Sequence, residues 1–191
     1  LLRGKLEIGL CASMGLLDED QLLWLKRAGL NRYHCNIETS RRNFPNICTT
    51  HTYADKIACI KAAQKVGLAV CSGGIFGLGE TWEDRLDMAI SLAELGIDSI
   101  PINILNPIKG TPLENAPRLT NDDILRIVAI FRFVNPTARI RLAGGRGLMG
   151  DMGRAAFKSG ANAAITGDML TTSGISVETD KRMARDIGYE L

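Results

Sequence analysis

Thiols are the most reactive groups in this sequence, and five of them, Cys11, Cys35, Cys48, Cys59 and Cys71, fall without regular spacing in a chain of 191 residues. An odd, irregular set argues against the disulfide framework of a secreted protein and for reduced thiols or metal ligands. His34 and His51 are too few and too far apart for an obvious zinc site, and no HExxH run occurs. Polar groups gather with the thiols in short runs: YHCNIETS from Tyr33, CSGG from Cys71, the single Asn103, and RLAGGR from Arg141. Such groups brought to one mouth of a fold make a candidate site. A strand cysteine taken alone is ordinarily a small buried hydrophobe, so Cys11 and Cys71 gain meaning only from their company.

Those runs must be held by something, and the pattern around them is regular. Short apolar runs suited to strands (5–12, 32–37, 68–76, 99–105, 138–143, 163–166) alternate with amphipathic stretches suited to helices (18–28, 53–66, 82–95, 121–134, 151–159, 178–187). Alternation of this kind signals βαβ units and a parallel sheet. Asp18 and Thr81 stand at N-cap positions, and Gly29, Gly67, Gly96 and Gly160 stand just past helix ends. The chemistry-bearing residues fall at strand ends, where a (β/α) barrel carries its site, so an α/β fold of the TIM-type barrel is expected over a doubly wound sheet. Six βα units are present where eight close a barrel, so about two are expected outside these residues. The turn-rich segment 106–120 reads as a loop over the strand ends, and residues 1–191 are expected to form a single domain.

Composition narrows the function classes. Apolar residues make up 46% and charged residues 23%, near the globular average, which excludes a disordered chain. A net charge of +2 with no basic stripe gives no expectation of nucleic-acid binding. No apolar run reaches the ~20 residues of a membrane span, and residues 1–5 lack a signal peptide's apolar core, so the expected location is cytoplasmic, with no membrane partner. The chain begins with Leu, which suits a truncated chain. The GLGET run lacks the spacing of phosphate-cradling glycine loops, and its glycines are expected to let backbone approach an adenosyl group. Trp24 and Trp82 are expected to pack helix faces.

Three strings, VCSGGIFGLGET at 70–81, PINILNPIKGTPL at 101–113 and IRLAGGR at 140–146, occur in this order. Together they resemble the biotin synthases, radical S-adenosylmethionine enzymes, with the likeness running from Cys11 through YHCNIETS to the GDMLTT run at 167–172. The resemblance implies a sulfurtransferase that inserts sulfur between two unactivated carbons of dethiobiotin. It draws on an adenosyl radical made at a 4Fe–4S cluster and on a sulfide of an auxiliary 2Fe–2S cluster. By the same resemblance Cys11, Cys71 and Arg141 are ligands of the 2Fe–2S cluster. Asn36, Asn103 and His34 line the dethiobiotin pocket, and Asn36, Glu38, Lys56 and Ile75 contact S-adenosylmethionine. A flavodoxin- or ferredoxin-type electron donor and a homodimer are also implied, along with a Biotin and Thiamin Synthesis associated region within the barrel.

The sequence departs from the family pattern in places. The usual YNHN run is Tyr33-His34-Cys35-Asn36 here, Glu38 stands where Asp is common, and Lys56 stands where Arg is frequent. Cys48 and Cys59 match no ligand and are expected to be buried thiols. The CxxxCxxC run that binds the 4Fe–4S cluster is absent from these residues, so the chain as given is expected to be inactive alone. The alternatives are another enzyme of the same group, of the methylornithine synthase or hydrogenase maturase type, and a non-catalytic fragment.

Overall fold

A computed structural model describes residues 7–168 and 174–190. Its elements run β1 (Cys11–Ala12), α1 (Glu19–Arg27), β2 (Arg32–His34), α2 (Phe44–Ile47), α3 (Tyr53–Lys65), β3 (Ala69–Cys71), β4 (Gly74–Phe76), α4 (Trp82–Glu94), β5 (Ser99–Ile104), α5 (Asn121–Val134), β6 (Arg139–Leu142), α6 (Arg154–Lys158), β7 (Ala163–Ala164) and α7 (Val177–Asp186), with a 3-10 turn at Arg146–Leu148. Every strand pairing is parallel, in the order β1-β2-β3-β5-β6-β7, with β4 also on β5. Strands β3 and β4 are one interrupted strand, because Cys71 lies opposite Ser99 and Gly74 opposite Ile102 in unbroken register. Six βα units in chain order with helices on one face make the expected partial TIM-type barrel.

The helices form where caps and phase agree. Asp18, Thr52, Thr81 and Thr120 each close a capping box with the residue three positions on, a device worth about 0.5–2 kcal/mol each. In α5 the buried residues are Ile124, Ile127, Val128 and Phe131, the i, i+3, i+4, i+7 stripe of an amphipathic helix. Phe131 meets Phe76 edge-on, ring centroids 5.4 Å apart. The same phase corrects the expectation for Trp24. Leu22 is buried, and two steps of ~100° carry position 24 to the opposite side of the helix, leaving Trp24 73% exposed. Trp82 is also partly exposed and stacks under the Arg85 guanidinium, 4.3 Å from the ring centroid.

Alternation along the strands divides the sheet into two faces. Tyr33, Ile37, Ile100, Ile102, Ile140 and Leu142 are buried in the core with Ile60, Met88, Leu92 and Ile127 of the helices. Their strand neighbours Arg32, His34, Asn36, Glu38, Asn103 and Arg141 are only partly buried and lie on the other face. The glycines at the strand interruption let the backbones close up. A Cβ on Gly73 would strike the Pro101 carbonyl, and one on Gly74 would meet Met88 and the Glu38 carbonyl.

Some boundaries differ from expectation. Strand β1 is two residues; Lys5 and Leu6 of the expected run lie outside the described residues. Helix α6 starts at Arg154, not 151, since Met152 and Gly153 adopt left-handed φ of 56° and 88°. Helix α2, with Pro in its first turn, was not expected. The loop 106–120 is irregular, as expected. The expected GDMLTT run falls largely outside the described residues from Met169. Among the described residues no helix is long and apolar enough to cross a membrane.

Candidate active site

Cys71 ends β3 on the polar face of the sheet and is 2% exposed. Ser99, its partner on β5, donates its hydroxyl to the thiol at 3.6 Å, and Arg141 on β6 reaches across β5 to place Nη1 3.8 Å from Sγ. Cys11, on the edge strand β1, lines a cavity of about 340 Å³ with Asn31, Arg32, Ala69 and Arg141. Burial raises the Cys11 pKa above the usual thiol value and the Cys71 charge adds to it, while Arg32 and Arg141 oppose the shift. Two thiols close enough to feel each other suit a cationic centre between them, and the Arg141 guanidinium beside both favours their thiolate forms.

Along the same face His34 sits opposite Cys71 in the register of β2 and β3. Burial lowers the His34 pKa below its ordinary value, Glu38 opposes this, and Arg141 and Lys56 add to the lowering, so the ring is neutral at pH 7 and offers one donor and one acceptor. Glu38 has φ of 65°, an unusual conformation for a residue with a side chain. Backbone bonds on both sides hold it, from its own N–H to the Gly73 carbonyl (3.3 Å) and from the Ile75 N–H to its carbonyl (2.8 Å). Its carboxylate pairs with Lys56 Nζ at 3.3 Å, the two side chains 29% and 14% exposed.

Two asparagines act as staples. Asn36 Oδ1 accepts from the Gly73 N–H at 3.0 Å. Asn103, whose partner in register is Ile75, donates to the Gly74 carbonyl and accepts from the Gly144 N–H, both at 3.0 Å. An amide carries two donors and two acceptor lone pairs, so each keeps capacity for a ligand, although Asn103 is tied at both ends. The structure thus brings Cys11, Cys71, Arg141 and His34 together and sets Asn36, Glu38, Lys56, Ile75 and Asn103 further along the same face. Ser99 and Arg32 were not expected here; nothing local marks them, and only strand register reveals them.

The GLGET turn has another explanation than ligand approach. Gly77 and Gly79 have φ of 100° and 87°, which glycine alone adopts freely. The Glu80 carboxylate accepts from the Gly77 and Leu78 N–H groups and pairs with Arg85 at 2.9 Å, both side chains buried. Cys59 is buried as expected, and the Cys35 thiol is pushed up by its hydrogen bond to Cys59 and by burial. Cys48 is not buried: it ends α2 in a loop and borders an open cavity.

Residues 1–92 match the Radical SAM superfamily, and residues 101–190 match the Biotin and Thiamin Synthesis associated domain. Among solved structures, a methylornithine synthase aligns with 97% of this chain and 58% of its own at a TM-score of 0.79 and 21% identity. A maturase of the FeFe-hydrogenase aligns with 95% and 44% at 0.78 and 18%. Identities that low show the fold, a partial (β/α) barrel, and nothing finer. Sequence goes further. The chain is 66% identical to a biotin synthase of Brachyspira hyodysenteriae over 182 residues, 95% of this chain and 55% of the relative. It is 63% identical to one of Alkaliphilus metalliredigens over 190 residues, 100% and 60%. Over nearly its whole length the chain resembles the biotin synthases, and it spans 55 to 60% of the length of these relatives.

Proposed function

We propose that the protein carrying these residues is a biotin synthase, a sulfurtransferase that converts dethiobiotin to biotin, with Cys11, Cys71 and Arg141 as ligands of a 2Fe–2S cluster. The observation that carries this is the meeting of the Cys71 thiol with Arg141, 3.8 Å apart, beside the cavity that Cys11 lines. The donor set fits the group: two thiols suit iron, and Arg141, 3.8 Å from one of them, would be the third donor as a neutral guanidine, its proton released to solvent as the cluster binds. When bound, the 2Fe–2S cluster supplies sulfide, and S-adenosylmethionine at a 4Fe–4S cluster, whose CxxxCxxC ligands are not in this sequence, supplies the radical.

The chain's own groups prepare the site. Ser99 fixes the Cys71 thiol, and burial of that thiol keeps water from the sulfur. Glu38, held rigidly by backbone and by Lys56, presents a carboxylate suited to a pair of ribose hydroxyls, with Ile75 as an apolar surface for adenine. Neutral His34 and the free amide capacity of Asn36 and Asn103 suit the N–H and C=O groups of a ureido ring. A flavodoxin- or ferredoxin-type electron donor, a homodimer and a cytoplasmic location complete the proposal. Relatives of the methylornithine synthase and hydrogenase maturase kind share the fold, but identities of 18–21% against 63–66% favour biotin synthesis. In the full-length protein Cys71→Ala should abolish biotin formation from dethiobiotin; turnover retained at the wild-type rate would overturn the assignment.

A further inference from the structure

The segment between α2 and α3 holds a second pair of reactive groups, away from the polar face of the sheet. Cys48 Sγ lies 3.4 Å from His51 Nδ1 and 3.7 Å from Nε2, and 3.5 Å from the Thr50 hydroxyl, which itself lies 3.0 Å from His51 Nδ1. The imidazole is held edge-on against Phe44, ring centroids 5.7 Å apart, and Phe44 in turn packs on Tyr53. These groups line an open cavity of about 560 Å³, whose wall also includes Arg41, Pro45, Tyr53 and Asp55.

A thiol, a base within proton-transfer reach and space for a reactant are the parts of an activated nucleophile. We propose that Cys48 and His51 form a thiol–imidazole pair at which the protein takes up an acidic low-molecular-weight disulfide as a mixed disulfide. His51 accepts the Cys48 proton. The thiolate attacks one sulfur of the incoming disulfide, a new S–S bond forms as the old one breaks, and the leaving thiolate recovers the proton from the imidazolium. One disulfide is consumed and one thiol released, so no other oxidant is required.

Charge sets the preference for an acidic reactant. Arg41 stands over the Tyr53 ring at 5.1 Å on the cavity wall, and Lys56 adds positive potential at the thiol. The one carboxylate of the wall, Asp55, stays charged but is turned to the Thr52 N–H and hydroxyl at 2.8 and 2.7 Å in the first turn of α3, where the helix dipole offsets part of its charge. Hydrogen bonds from the Thr50 hydroxyl and the His51 backbone N–H lower the Cys48 pKa from the ordinary thiol value, which enriches the attacking form near neutral pH. The Cys59 pKa is also lowered, by its hydrogen bond with Cys35, but both of those thiols are buried out of reach of a disulfide.

The test is to treat the reduced full-length protein with oxidised glutathione at neutral pH and follow each cysteine by peptide mass spectrometry. The Cys48 peptide should gain glutathione on the order of tenfold faster than the Cys35 and Cys59 peptides, and His51→Ala should slow it by about tenfold at an unchanged melting temperature. His51→Gln, which keeps a polar side chain of similar length against Phe44, should give the same slowing. Cys48 reacting no faster than Cys35, or either His51 variant reacting at the wild-type rate, would overturn the proposal. Neutral hydroxyethyl disulfide should react more slowly than oxidised glutathione, and an equal rate would remove the preference for an acidic reactant. Cys48→Ser should leave biotin formation unchanged, so this test fails or succeeds separately from the proposed synthase activity.

Discussion

The polar face of the sheet and the connection from Ser40 to Thr52 both carry thiols, yet they are built in different ways. On the sheet face, main chain fixes position: parallel register sets Cys71 against His34 and Ser99, and Asn36 and Asn103 bind backbone groups at the strand interruption. In the connection, side chains share this work with one short helical turn, whose last bond runs from the Cys48 N–H to the Phe44 carbonyl at 3.0 Å. Ser40 donates to Asp84 at 2.6 Å, Arg42 adds Nε and Nη2 contacts at 3.0 and 2.7 Å to its two carboxylate oxygens, and Phe44 braces His51. A site set by register tolerates little movement, which suits a metal centre, whereas one set by a few side-chain contacts can open to a reactant.

Breaking the backbone arrangement should have the larger effect. Gly73→Ala puts a methyl into the Pro101 carbonyl, so β3 and β5 must separate. The expected loss is about 3 kcal/mol, read by denaturant unfolding, and a variant of wild-type stability would show that the strands are not locked there.

The connection should respond to acid instead. Burial opposes the charge on Asp84, but hydrogen bonds from Ser40, the Thr81 N–H, Arg42 and the Thr81 hydroxyl outweigh it and bring the pKa from 3.8 down to about 2. A depressed carboxylate pKa stabilises the folded state above the unfolded value and loses that contribution as pH falls through the folded one. Stability worth about 2 kcal/mol should therefore disappear between pH 4 and pH 2. In Asp84→Asn that part of the pH dependence should be missing, and an unchanged acid limb would break the comparison. Trp24→Ser supplies the control, since the ring is exposed and touches neither region. Its unfolding free energy should stay within about 0.5 kcal/mol of wild type.

The difference between the regions also explains what could be read from the sequence. The six βα units were readable because each helix declares its ends, as with Asp18 ahead of α1 and Gly67, Gly96 and Gly160 at left-handed φ behind α3, α4 and α6. Cys11, Cys71 and Arg141 were singled out through family resemblance alone, and the structure places them on one face of the sheet. Ser99 and Arg32 were not, since their roles arise from pairing between strands distant in sequence. The interruption at Ser72 and Gly73 was hidden inside an apolar run. Cys48 was misread as buried because a four-residue helix places it at a loop, where neither periodicity nor capping reports burial. Trp24 was misread from residue type where helical phase decides.

The most direct test of the central claim measures iron and acid-labile sulfide, with the Mössbauer spectrum, in anaerobically reconstituted full-length protein and in its Cys71→Ala variant. Cys71 as a ligand on the sheet face predicts that the variant loses the 2Fe–2S signal, keeps the 4Fe–4S signal and makes no biotin. A variant that retains the full 2Fe–2S content would contradict it, and the meeting of Cys71 with Arg141 would then be packing rather than ligation.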